Sequence, residues 1–210
     1  MAQVVGIDGT KGGWVAVALE DGRFAGDYLL RPVETRFEEL AEARVIAIDI
    51  PIGYGPRTAD LAARRFLGRA ASRVFLTPRL EILEMPFGPG LGVSAQAHAL
   101  GPRIIHVTAL ASADSRFHEV HPEVSFQAMN GGEPLRHHKK SAGGVLERTE
   151  LLRRRGIELT QLGASASAPL DDVLDAAAAA WSAHRIAMCA ARTLPDPPEL
   201  VNGREVAIWY

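Results

Sequence analysis

Four acidic residues have the types and spacing that could do chemistry together. Asp8 closes an apolar run (Val4, Val5, Gly6, Ile7), and Asp49 closes another (Val45, Ile46, Ala47, Ile48). Asp172 and Asp175 lie three apart at the head of the Ala-rich segment DDVLDAAAAAWSAHRIAMCA. Runs that are apolar on both faces make central strands, which deliver a closing carboxylate to the sheet's edge. A helical i,i+3 pair can project onto the same spot. Carboxylates gathered in this way repel one another, and a pair of divalent cations neutralises them while activating water for hydrolysis.

Each acid also has a plainer reading. Asp8 precedes Gly9 and suits a turn; Asp171 and Asp172 suit a helix cap and a helix-dipole acid. Asp49 sits between Ile48 and Ile50, where a carboxylate is costly to bury unless paired or metal-bound. Asp175 comes a turn into the alanines, where neither plain reading serves. The four together are far more specific than any one.

Glu119, in FHEVHPE, is a fifth candidate, as a metal ligand or acid/base group with His121 nearby; the alternative is a surface strand end. H-E-x-H is not the helical zinc-protease spacing, which needs two histidines four apart. Basic residues gather in two places. Arg65, Arg69 and Arg73 recur every four residues as one helical stripe, flanked by Arg64 and Arg79, and His137, His138, Lys139 and Lys140 precede a helix carrying Arg148. A phosphate-bearing substrate would use such contacts, although solvated helix faces look the same. GTKGGW lacks P-loop spacing, GVSAQ lacks the second glycine of a nucleophile elbow, and paired cysteines for a structural zinc site are absent from the sequence.

The elements that must position these residues read as β-β-β-α-β at the start. A strand covers about 3–8, GTKGG turns, and a hairpin folds around Asp21-Gly22. ETRFEELAEA has the apolar spacing of a helix, with Phe37, Leu40 and Ala41 on one face, and RVIAID returns as a buried strand. From about 54 to 114 the pattern is helical and then broken by Pro78, Pro86, Pro89 and glycines, an excursion over the sheet's C-terminal edge. A short strand at RFHEV, a helix opened by Pro122, an amphipathic helix ending at Gly156 and a helix over about 171–192 follow. EVAIWY reads as an edge strand. The expectation is one α/β domain over 1–210: a mixed sheet, three antiparallel strands then parallel ones, with helices on both faces.

The bulk properties agree. The chain has 210 residues, 47% of them hydrophobic and 23% charged, enough for a sizeable core. Its net charge of −2 and pI near 6.4 argue against a strongly basic, sequence-blind nucleic-acid binder but not against a local binding groove. Without a long apolar run or a leader-like start, the reading is no membrane and a cytoplasmic location. Cys189, the lone cysteine, reads as an inert core residue.

GIDGTKGGW, AIDIPIG, ADLAARRFLG with SRVF, EVHPEVSF, HKKSAGG and DDVLDAAAAAWSA together resemble domain-of-unknown-function family 429, regarded as predicted ribonuclease-H-like nucleases. The last motif is also similar to the final helix of Holliday-junction resolvases. The resemblance implies a ribonuclease-H-like fold and a two-ion Mg²⁺ or Mn²⁺ site. Asp8 would bridge ions ~4 Å apart, Asp49 and Asp172 would complete their shells, and Asp175 would hold or orient a water. Lys140 and Arg148, with Arg64 or Arg65, would meet the phosphates of a nucleic-acid substrate. Ribonuclease H itself carries an acid on its first helix, and none of Glu34, Glu38, Glu39 and Glu42 is singled out here, so the resolvase-like arrangement fits better.

Two alternatives stay open on the sequence. One is a non-catalytic binding module of the same fold. The other is a phosphate-binding protein related to actin-like ATPases, which share the β-β-β-α-β opening. A homodimer sharing the EVAIWY edge is also compatible with the pattern.

Overall fold

The computed structural model describes residues 3–201 and 203–210. Its strands and helices follow in the order β1 (Gln3–Thr10), β2 (Gly13–Glu20), β3 (Arg23–Leu30), β4 (Val45–Ile48), α1 (Thr58–Leu67), α2 (Leu80–Glu84), α3 (Ala95–Ala99), α4 (Gly101–Ala113), β5 (Phe117–Glu119), α5 (Pro122–Met129), α6 (Ala142–Arg154), α7 (Leu170–Ala187), β6 (Thr193–Val201) and β7 (Arg204–Trp209).

The main sheet has the order β3-β2-β1-β4-β5: an antiparallel β1–β2–β3 meander, then β4 and β5 parallel to β1. The hairpin turn is Asp21-Gly22, both in the left-handed region (φ 49° and 78°), as a tight hairpin requires. β1 and β4 are hydrophobic on both sides because both sides are covered. Val4, Val45 and Ala47 pack with α5, α6 and α7, while Val5, Ile7, Ile46 and Ile48 pack with α2 and α4. This is the ribonuclease-H-like mixed sheet with helices on both faces.

The alanines of α7 have a packing role. A β-carbon on Gly6 would fall 1.9 Å from the Ala180 backbone nitrogen, so α7 lies with its backbone against β1. Small residues on the helix and a glycine on the strand permit that approach. Residues 173–183 of α7 are buried, and the Ser182 hydroxyl meets that of Ser125 on α5 at 2.9 Å.

Several local expectations are corrected. ETRFEELAEA forms only a 3₁₀ turn at Glu38–Leu40, because Phe37 takes a left-handed φ of 56°. That conformation sends its ring into the core beside Trp14 and Phe117, at centroid distances of 5.7 and 5.9 Å. The 13-residue helix α4 was hidden by the Gly101-Pro102 that opens it. EVAIWY is an edge strand, as expected, but not of the main sheet. It lies in β7, which pairs with β6 in a second sheet and touches the first through a bridge between Val120 and Trp209. The last helix stops at Ala187, and Cys189, at φ 53°, lies beyond it and is exposed rather than in the core. Among the described residues no helix is long and apolar enough to cross a membrane.

Candidate active site

Register and strand alternation bring the acids together. β1 and β4 run parallel with Ile7 opposite Ile48, and the Asp49 amide donates to the Ile7 carbonyl at 2.9 Å. Asp8 and Asp49 therefore end neighbouring strands side by side. Side chains alternate along a strand, so both carboxylates share the face of Val4, Val45 and Ala47, which α7 covers. Asp175 stands one turn inside α7, directed at the same place, with Asp172 nearer its open end. The four line one cleft of about 840 Å³ over the C-terminal ends of β1 and β4.

Asp8 is 9% exposed and Asp175 is 3% exposed, so these carboxylates form a floor rather than a surface patch. Asp8 accepts the Gly9 amide at 2.7 Å. One oxygen of Asp175, Oδ2, accepts the Lys139 ammonium at 2.7 Å, and the other, Oδ1, is buried with no partner. Burial, and then repulsion from Asp49, Asp175 and Asp172, pushes the Asp8 carboxyl well above its ordinary range. Burial raises Asp49 to about 7 and Asp175 to about 6, both against the opposing charge of Lys139. Burial would lower the Lys139 ammonium, but Asp175, Asp8 and Asp49 outweigh it and hold it protonated.

The donor chemistry, though not a formed set of ligands, suits a hard divalent cation. The donors are carboxylate oxygens, which such cations prefer; one buried oxygen lacks any partner; and the mutual repulsion is of the kind a cation relieves. The carboxylates are not a preformed cage, however. Among the described residues no group of three or more His, Cys, Asp or Glu side chains is placed to hold a metal ion, and Lys139 stands among the carboxylates.

The other sequence candidates lie elsewhere. Glu119 pairs with Ile48 across β4–β5 and so faces the opposite side of the sheet from Asp49. Its carboxylate takes both terminal nitrogens of Arg57 at 2.5 and 2.8 Å and the Ile52 amide at 2.7 Å. Arg57 also pairs with Asp60, which accepts the Thr77 amide. This buried network fastens the chain leaving β4 to α1 and to the segment before α2; it borders the cleft without joining the carboxylate floor. Arg148 is 1% exposed, bonded to Glu123 at 2.7 Å and stacked over Phe126. No face of it is left for a phosphate.

Arg64 and Arg65 do not border the cleft. The expected Arg65, Arg69, Arg73 stripe does not form, because α1 ends at Leu67 and Gly68 turns the chain with φ 55°. Arg73 instead reaches Glu123 at 2.5 Å, inside the cleft. Lys140 lines the cleft with its side chain 70% exposed, 3.6 Å from Asp171. His121 caps α5, its ring nitrogen Nδ1 accepting the Glu123 amide, and borders the same space.

Sequence reading chose the wrong neighbour for one residue here and missed two. Lys139, rather than its neighbour Lys140, reaches the floor. Arg57 holds Glu119. Arg103, from α4, lies 5.3 Å over the Trp14 ring and donates to the Thr10 and Gly13 carbonyls, bracing the β1–β2 turn beside Asp8. The HHKK run did announce a cation near the site; α4 was not foreseen, so nothing pointed to Arg103.

Fold and site thus define a ribonuclease-H-like α/β protein with a carboxylate-floored cleft. The chain belongs to the family of proteins of unknown function DUF429, whose model matches residues 6–200. No curated protein and no solved structure matches the chain.

Proposed function

We propose that this chain is a phosphodiester hydrolase acting on nucleic acid with Mg²⁺ or Mn²⁺ held by Asp8, Asp49, Asp175 and, at the rim, Asp172. The observation that carries the reading is that Asp8, Asp49 and Asp175 line one cleft, with Asp8 and Asp175 buried and one oxygen of Asp175 unpartnered. When bound, such cations activate water and stabilise a leaving oxygen. The protein's own contribution is placement. β1 and β4 fix two carboxylates in register, and α7 fixes the third by its close seating on Gly6. Lys11 on the β1–β2 turn, Lys140 and Arg103 border the cleft and supply positive charge for substrate phosphates. Glu119, Arg57 and Asp60 hold the wall.

Calorimetric titration with Mn²⁺ tests this reading, on the intact chain and on the Asp8→Asn/Asp175→Asn double variant. Saturable binding that the variant loses supports it, and absence of binding both alone and with an oligonucleotide present removes it. One observation favours a second reading, a non-catalytic module of the same fold: Lys139 already neutralises part of the cluster without any ion. Under that reading Mn²⁺ neither binds saturably nor stabilises the protein.

A further inference from the structure

We infer that the cavity where α5, α6 and α7 end is a second anion site, which takes a phosphate group carried by a nucleotide or a nucleic-acid strand. It is separate from the carboxylate cleft and does not depend on the hydrolase reading. Asp175 and Arg185 lie ten residues apart on α7, about 15 Å along the helix.

Three arginines line this cavity of about 370 Å³. Arg155 follows α6, Arg185 sits in the last turn of α7, and Arg192 precedes β6. Arg153 and Arg154 both pair with Glu150, whereas Arg155, Arg185 and Arg192 form no ion pair among the described residues. Burial, and then repulsion from Arg155 and Arg192, lowers the pKa of Arg185, with Tyr210 opposing. Helix ends account for part of the gathering. Arg155 donates to the Met129 carbonyl at 2.8 Å, at the end of α5, and Arg185 donates to the Ala190 carbonyl beyond α7. Three helix C-termini carry about half a negative charge each, which leaves roughly one and a half positive charges over on the three guanidiniums. Arg192 serves no helix end. Its backbone amide and carbonyl exchange hydrogen bonds with those of Tyr210 at 2.7 and 2.9 Å, and its side chain is exposed at the cavity.

The construction suits a phosphate. The Arg185 guanidinium lies 4.9 Å over the ring of Trp181, itself buried, so its plane is held in place. Gly131 and Gly132 border the same space in left-handed turns, φ 73° and 91°, and put no side chain into it. A guanidinium fork pairs with the oxygens of a phosphate or a carboxylate. A carboxylate offers two oxygens; a terminal phosphate offers three strong acceptors, enough to meet three arginines.

Calorimetry with a chelator present, which removes divalent ions, tests the site with adenosine monophosphate, a single-stranded oligonucleotide and a Glu-rich peptide. The intact chain is expected to bind at least one of the two phosphate probes saturably. Arg192→Gln should bind it about tenfold more weakly and Arg192→Glu not at all, while Arg154→Gln matches the intact chain. Arg155→Gln replaces the Arg192 variants if they do not fold, judged by circular dichroism, and should show the same weakening. Tighter binding of the mononucleotide supports the site and assigns it to a free nucleotide or strand end; tighter binding of the oligonucleotide supports it and assigns it to a strand's backbone. No saturable binding of either phosphate probe, binding of the peptide alone, or affinity unchanged in the cavity variants would overturn the inference. Asp8→Asn should bind these probes through this cavity as the intact chain does, so the result is independent of whether the carboxylate cleft hydrolyses anything.

Discussion

Gly6 and Ala180 meet backbone to backbone: a β-carbon at residue 6 would lie 1.9 Å from the Ala180 amide nitrogen and 2.3 Å from the Ala176 carbonyl oxygen. This seating sets how far α7 stands from β1, and therefore whether Asp175 reaches Asp8. Gly6→Ala has nowhere to go without moving the helix. It should cost about 3 kcal/mol or more by overpacking and weaken Mn²⁺ binding with it. Gly26→Ala, where a β-carbon meets nothing within 4 Å, is the matched control and should leave both unchanged. Chemical denaturation of the two variants checks this; an unaffected Gly6→Ala would mean α7 is not seated as described.

Glu119 separates a wall residue from a floor residue. Its carboxylate is the main partner of the buried Arg57 guanidinium, and removing one partner of a buried ion pair costs about 3 kcal/mol or more. Glu119→Gln should therefore lower the melting temperature while leaving Mn²⁺ affinity unchanged. A variant of normal stability that binds Mn²⁺ poorly would return Glu119 to the metal site.

Charge repulsion on the floor predicts a trade between stability and binding. Asp8 is buried among three other carboxylates, so Asp8→Asn should stabilise the metal-free protein by about 1 kcal/mol, or roughly 2–4 °C. Mn²⁺ at a hundredfold excess over Kd should stabilise the intact chain by about 2.7 kcal/mol and this variant by far less. Thermal scans with Mn²⁺ and with a chelator distinguish the two; equal Mn²⁺ shifts in both proteins would contradict the placement of the ion.

His118 gives a pH dependence away from the site. Burial, with Arg204 nearby, lowers its pKa from the ordinary 6.5 to about 4, and its ring packs edge-on to Trp209 at 5.3 Å. The unfolded chain therefore takes the proton first. The contribution is complete above pH 6.5, declines as pH falls from 6.5 towards 4, and is constant below that. Discounted for partial exposure, the loss is on the order of 2 kcal/mol. His118→Gln should flatten stability measured across pH 6.5 to 4, and an unchanged slope would assign it to other groups.

The fold and the acidic floor were legible because both rest on periodicity. Asp8 and Asp49 ended apolar runs, and the helix pair kept its spacing. What escaped was decided by tertiary contacts. Glu119 was placed with the acids because a strand end fixes no face; the β4–β5 register turned it to the opposite side, onto Arg57. Choosing between Lys139 and Lys140 required the Ser141 and Gly144 turn geometry. Arg148 read as a surface cation until Glu123 and Phe126 closed around it. The helix expected at Phe37 yielded to the core's need for that ring.

The hydrolase reading itself is tested most directly by cleavage. End-labelled RNA, DNA, hybrid and branched oligonucleotides would be incubated with Mn²⁺ and either the intact chain or Asp8→Asn, verified as folded. The account predicts cleavage of at least one substrate class by the intact chain, abolished by chelator and reduced about 10³-fold in Asp8→Asn, the effect of several kcal/mol on a barrier. Cleavage that persists in Asp8→Asn, or no cleavage of any class by an intact chain that binds Mn²⁺, would contradict it.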